Sequence, residues 1–244
     1  MIEKAVVLAA GRGTRLGALT ANYPKPLLEV GGRPIIVHVL DGMARAGISD
    51  VTIVTGHFGQ LLEAEVGTGE QAGLHIRYVR QEEPEGTARA LALAREHVGA
   101  GQFLAAWGDI LVRPENYARV MKAARFADIV IAVNEVDDPW AGAAVYVDEQ
   151  MQVQRIIEKP EPGSSSTRWN NAGLFVLGPA IWAEIDRLAP SERGEYELPS
   201  ALAALVDGGA DVRAAPIEGP WFDVGTPDDL ERAREVFGRR GGAR

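Results

Sequence analysis

The sequence predicts a single wound α/β domain with a mixed, mainly parallel central sheet and helices on both faces. Three observations predict it. Short apolar, β-branched runs alternate with stretches of helical spacing, the first run leads straight into a glycine-rich loop, and no fixed-period repeat interrupts the alternation. The 244 residues suit one compact domain. With 46% hydrophobic and 24% charged residues, the chain has the composition of a globular protein with a sizeable core.

The elements follow in order. Ala5 to Ala9 is the first, buried strand. After the loop, Pro34 is placed at the first position of a helix whose Ile36, Val39, Leu40 and Met43 follow at helical spacing and which Gly47 ends. Asp50 to Thr55, Leu74 to Val79 and Gln102 to Trp107 are strands, with helices near Gln60 to Val66 and Thr87 to His97 between them. Residues 1–136 thus form a wound layer.

The order then changes. Gly142 to Asp148, Val153 to Glu158 and Ala172 to Leu177 look like consecutive strands, broken by the polar Gly/Ser-rich stretch Glu161 to Thr167. Helices near Pro179 to Leu188 and Leu198 to Val206, a strand at Asp211 to Pro216 and a helix from Pro227 to Phe237 follow. Residues 137–237 form the second part of the domain, and 238–244 a flexible tail.

Composition excludes several functions. The 25 Lys and Arg against 34 Asp and Glu give a net charge of −9, which argues against a backbone-reading nucleic-acid partner. Without cysteine there is no disulfide framework and no thiolate metal site, so nothing demands an oxidising compartment and the cytoplasm is the expected location. The longest apolar stretches, such as Ile129 to Val133, are far short of the roughly 20 residues that span a bilayer, so no membrane partner is expected. At the N-terminus, Gly and Arg follow the apolar run too soon for a signal peptide.

The most informative segment is Leu8-Ala9-Ala10-Gly11-Arg12-Gly13-Thr14-Arg15-Leu16, followed by Pro24-Lys25-Pro26-Leu27-Leu28. Two glycines let the backbone approach an anion and aim successive amides at phosphate oxygens, while Arg15 and Lys25 supply neutralising charge. A dinucleotide fingerprint would need glycine where Leu16 stands, and a P-loop would need Gly-Lys-Ser/Thr, so neither standard motif fits.

This run resembles the sugar-1-phosphate nucleotidyltransferase family, whose pattern is Leu-Ala-(Ala/Gly)-Gly-x-Gly-Thr-Arg-Leu and then Pro-Lys-Pro-Leu. The resemblance continues in order through Gln81 with Glu82-x-Pro84-x-Gly86-Thr87-Ala88, Gly108-Asp109, Glu158-Lys159-Pro160, Asn171-Ala172-Gly173 and Trp221-Phe222-Asp223-Val224-Gly225-Thr226. It implies a Rossmann-like, GT-A-like fold, with residues 1–136 as the nucleotide-binding part and 137–237 as the sugar-phosphate-binding part. It also implies a reaction in which a phosphate oxygen of a sugar 1-phosphate attacks the α-phosphorus of a nucleoside triphosphate and expels pyrophosphate.

On that resemblance, Leu8, Ala9, Ala10, Gly11, Gly13, Thr14 and Arg15 hold the triphosphate, and Gln81, Gly86 and Thr87 read the base. Lys25 neutralises the α-phosphate and Lys159 the incoming sugar phosphate. Asp109 and Asp223 hold Mg2+, a hard cation suited to oxygen ligands. Glu158, Asn171 and Gly173 line the sugar pocket beside Asp109 and Lys159, with Glu197 near it; Gly173 is expected to leave room for the sugar ring. An aspartate that caps a turn would present the same local pattern.

Glu85 and Arg89 depart from the family, which usually has an apolar and a small residue there. The base run favours UTP or GTP. A cytidylyltransferase acting on phosphocholine, or a catalytically silent nucleotide-sensing subunit, remains an alternative, and homo-oligomerisation stays open. His38, His57, His75 and His97 lack ligand spacing and are read as packing or surface residues.

Overall fold

The computed structural model describes residues 2–238. The tail expected at 238–244 therefore lies, beyond Gly238, outside the described residues. In chain order the structure contains β1 (Lys4–Ala9), the two-residue strands β2 (Glu29–Val30) and β3 (Arg33–Pro34), α1 (Ile35–Arg45), β4 (Asp50–Thr55), α2 (Gly59–Val66), β5 (His75–Arg80), α3 (Thr87–Ala92), α4 (Arg95–Val98), β6 (Phe103–Trp107), β7 (Ile110–Val112) and α5 (Glu115–Ala123). It continues with β8 (Ile129–Glu135), β9 (Ala143–Val147), β10 (Val153–Glu158), β11 (Trp169–Leu177), α6 (Ala180–Arg187), α7 (Leu198–Asp207), β12 (Val212–Pro216), β13 (Trp221–Asp223) and α8 (Pro227–Gly238).

Nine strands form one mixed sheet, and β6-β1-β4-β5 is its parallel block. Strand alternation splits the core in two. Val6 and Leu8 face one side with Leu91 of α3, Ile181 and Trp182 of α6 and Leu202 of α7. Ala5, Val7 and Ala9 face the other with Val39 and Met43 of α1 and Tyr117 and Val120 of α5. Both faces of the sheet are therefore covered, which is why β1 reads as an unbroken apolar run.

β11 reverses direction and forks the sheet. Residues Leu174 to Leu177 pair with β6, whereas Asn170 pairs with Ala144 of β9, and β8 runs along its other side. The register slips between Asn171 and Phe175, around Gly173 at φ +76°. β10 then pairs with β9, and β12 returns to pair parallel with β8.

Several elements differ from the expectation. Helix α1 begins at Ile35, with Pro34 at its N-cap position. The single helix expected over Thr87 to His97 is two short ones, and β11 starts at Trp169, three residues earlier than expected. The strands β7 and β13, three residues each, are too short to stand out in the sequence, and α5 is a mostly polar helix that buries only Asn116, Tyr117 and Val120. They matter because β7 and β13 pair with each other, setting Asp223 opposite Ile110.

Candidate active site

The loops that follow β1, β4, β5 and β6 all emerge at the carboxyl edge of the parallel block, where open α/β sheets hold ligands. The first of them is pinned beneath its tip. Gly13 sits in the left-handed region at φ +63°, and a Cβ there would lie 3.2 Å from both Lys25 Cβ and Thr20 Cγ2. The Thr20 hydroxyl donates to the Gly13 carbonyl (2.8 Å) and the Leu16 amide donates to the same oxygen (3.0 Å). Gly11 has open space on its Cα, so the backbone there is accessible.

Ala9, Ala10, Gly11, Arg12 and Thr14 line a cavity of about 400 Å³ together with Thr55 to Gly59 of the neighbouring strand and the loop after it. Leu8 belongs to the core and its carbonyl accepts the Gly108 amide (2.9 Å). Its side chain thus packs beneath the loop that starts at Ala10.

Lys25 is the centre of the arrangement. Its buried ammonium lies 2.6 Å from Asp109 Oδ2 and 3.1 Å from Asp223 Oδ1. Asp109 follows β6 directly. Asp223 arrives through the β7–β13 pairing, locked by the Val224 amide donating to the Asp109 carbonyl (3.2 Å). Burial works against the charge on Lys25, but the two carboxylates outweigh it and hold the ammonium above its ordinary value. Asp223 is pushed up by burial and by Asp109, against the pull of Lys25 and Arg15.

Arg15 lies on the same segment: a Cβ on Gly225 would sit 3.0 Å from its Nη2. The structure therefore unites Arg15, Lys25, Asp109 and Asp223 from four separate stretches of sequence. The two carboxylates remain partly open, with 28% and 35% of their side chains exposed, and present hard oxygen donors to solvent.

Glu158 and Lys159 close β10 beside the fork. Register sets Glu158 opposite Ala143 and Asn170 opposite Ala144, which brings the end of β10 level with the Asn171 stretch of β11. Lys159 is exposed, adopts φ +44°, and its amide donates to the Gly142 carbonyl (2.7 Å). Together with Ser191, Arg193, Glu197 and Ser200 they line a second cavity of about 550 Å³. Arg193 lies 3.6 Å from Glu158 and pairs with buried Glu197, which the Ser191 hydroxyl also approaches (3.4 Å). Burial, then repulsion by Glu197, pushes the Glu158 carboxyl up to about 7, with Lys159 and Arg193 acting in the opposite direction.

Arg193 escaped sequence reasoning. Residues 193–197 precede α7 and lie outside any helix, so the four-residue spacing to Glu197 carries no helical signal and the pair forms only in the folded loop.

Asn171 is buried, its Oδ1 accepting the Gly173 amide (3.0 Å) while its Nδ2 finds no partner. A buried amide donor without a partner is costly, so Asn171 is the buried side chain best suited to a ligand oxygen. On its Cβ side Gly173 makes room for the Trp107 indole: a Cβ there would lie 2.2 Å from Trp107 Cε3.

The base segment is also tied up internally. Gln81 Nε2 donates to the Gly86 carbonyl (3.3 Å), leaving its other amide groups. Gly86 packs on the Tyr196 backbone, and the Thr87 hydroxyl accepts the Leu198 amide (2.8 Å). Gly86 and Thr87 thus also hold the start of α7.

Among the described residues no helix is long and apolar enough to cross a membrane, and no three His, Asp or Glu residues converge as a metal cluster. The nucleotidyl transferase family model matches residues 4–238. A glucose-1-phosphate thymidylyltransferase of Streptomyces griseus is 34% identical over 229 residues, covering 93% of this chain and 64% of the relative. The UTP–glucose-1-phosphate uridylyltransferase AglF of Haloferax volcanii is 34% identical over 238 residues, covering 95% of both. The first curated relatives are longer, and the chain spans 64–65% of their length. A solved UDP-glucose pyrophosphorylase complexed with UDP-glucose shares the fold at TM-score 0.88 and 20% identity, over 98% of this chain and all of the other.

Proposed function

The chain belongs to the nucleotidyl transferase family, and on that premise we propose that it joins a nucleoside triphosphate to a sugar 1-phosphate with release of pyrophosphate. One observation carries the reading: an ammonium held between two carboxylates at the foot of a glycine loop. A phosphate oxygen of the sugar 1-phosphate forms a bond to the α-phosphorus as the bond to the β-phosphate oxygen breaks, and the electron pair leaves with pyrophosphate. Two anions must meet, so alignment and neutralisation supply the catalysis and no covalent enzyme intermediate is needed.

Lys25 offsets the charge that builds at the α-phosphate, and the open amides near Gly11 with Arg15 hold the triphosphate. Lys159 and Arg193 receive the sugar phosphate at the second cavity, where Glu158 accepts sugar hydroxyls, and Asn171, on β11, offers its Nδ2 to a ligand oxygen. The free amide groups of Gln81 suit a base with an imide face, such as uracil, thymine or guanine. Asp109 and Asp223 fit Mg2+, since two converging oxygen donors that repel each other favour a hard divalent ion with few protein ligands. Such an ion supplies further neutralisation of phosphate oxygens.

The test is a pyrophosphate-release screen of UTP, dTTP, GTP and CTP against glucose, mannose and N-acetylglucosamine 1-phosphates, with Mg2+ or with EDTA. Turnover is expected for at least one imide-base triphosphate and only with Mg2+. Turnover with CTP and phosphocholine alone would replace this reading.

A further inference from the structure

Helix α7 starts without a cap of its own. Its N-cap residue is Glu197, whose extended backbone (φ −97°, ψ 132°) suits the position, yet the Glu197 side chain makes no cap hydrogen bond. The carboxylate turns instead to Arg193 and Ser191. The Leu198 amide, the first of the helix, donates to the hydroxyl of Thr87, 111 positions away (2.8 Å).

The same contact is reinforced by three others. The Tyr196 amide donates to the Glu85 carbonyl (2.7 Å), and the Ala88 amide donates to the Tyr196 carbonyl (2.9 Å). Gly86 permits this approach, because a Cβ there would lie 2.5 Å from the Tyr196 oxygen. Arg89 covers the Tyr196 ring with its guanidinium carbon 4.3 Å from the centroid. Glu85 and Arg89, the two positions that depart from the family pattern, both lie in this seam.

We infer that Thr87 is a positioning residue: by accepting the Leu198 amide it fixes the start of α7 and with it Glu197, whose carboxylate holds Arg193, and so joins the segment that follows Gln81 to the cavity assigned to the sugar phosphate. The inference rests on the proposed reaction for its kinetic consequence but on the seam alone for its structural one. Without the Thr87 hydroxyl, the Leu198 amide loses its acceptor, and an N-cap side chain, which serves the second or third amide of a helix, does not replace it. The start of α7 then loosens, and with it the Glu197–Arg193 pair beside Glu158.

Thr87→Val, which removes the acceptor and keeps the shape, is compared with Thr87→Ser, which keeps the acceptor. In the valine variant the KM for the sugar 1-phosphate rises about fivefold while the KM for the nucleoside triphosphate stays within about twofold, and serine restores the first constant. Amide hydrogen exchange over residues 191–198 quickens in the valine variant and returns to the wild-type rate in the serine variant. A rise in the triphosphate KM alone would overturn the inference by making Thr87 a direct nucleotide contact, as would unchanged exchange over 191–198. If the wild type turns over no pair of substrates, the proposed reaction fails, and hydrogen exchange still decides whether Thr87 positions the segment.

Discussion

Lys25 shows how one residue sets the character of the site. A buried ammonium is normally unfavourable, and here it is tolerated because two carboxylates share it. The dependence is mutual, since removing the lysine leaves Asp109 and Asp223 facing each other. Lys25→Met is expected to lower stability by about 1–3 kcal/mol, less than a fully buried pair because both carboxylates reach solvent. It should also lower kcat/KM roughly 10²- to 10³-fold. Adding Asp109→Asn should recover part of the stability and none of the turnover. Urea unfolding and pyrophosphate release check the two effects separately, and near-normal turnover in Lys25→Met would remove the lysine from the mechanism. Lys25 was legible in the sequence because its chemistry lies in a contiguous run, Pro24-Lys25-Pro26. The true work of Thr87 was not, because its partner Leu198 is joined to it only by folding.

The elements that bring these residues together divide in the same way. Strands such as β4 and β10 are legible with their boundaries, β4 as a continuous buried run and β10 by its β-branched residues Val153, Ile156 and Ile157. The β7–β13 ribbon, three residues a side, is too short for its pattern to register, yet with the Val224 amide it carries Asp223 to Asp109. Likewise the Asn170-Asn171 start of β11 hides a strand, because these polar side chains are stabilised by remote partners: Asn170 Nδ2 donates to Asn134 Oδ1 (2.9 Å). The fork in β11 depends on Gly173, which combines a left-handed backbone with the close approach of Trp107. Gly173→Ala must push the indole away and strain the backbone, so a loss of about 2–4 kcal/mol is expected. Denaturant unfolding measures it; a loss below about 1 kcal/mol would mean that the indole moves aside freely.

At the scale of the whole molecule, the expected division into a nucleotide part and a sugar-phosphate part does not separate two folding units. β11 pairs with β6, β12 with β8 and β13 with β7, so the second stretch is threaded into the first. Unfolding should therefore be one cooperative transition, and a single buried carboxyl can report on it. Glu158 is that carboxyl. Burial first, then Glu197 and Glu195, raise it from 4.5 to about 7 in the folded protein, while Lys159 and Arg193 pull the other way. A raised folded value means that the native state keeps a proton the unfolded chain has released. The stability this contributes is complete below pH 4.5 and is lost as the pH climbs through about 7. Between pH 5 and 8 the wild type should lose on the order of 2–3 kcal/mol relative to Glu158→Gln, whose amide does not titrate. Urea unfolding of both proteins across that range decides it. Parallel pH dependences would mean that Glu158 ionises like an exposed glutamate, and that the Glu158–Arg193–Glu197 cluster is more solvated than its burial implies.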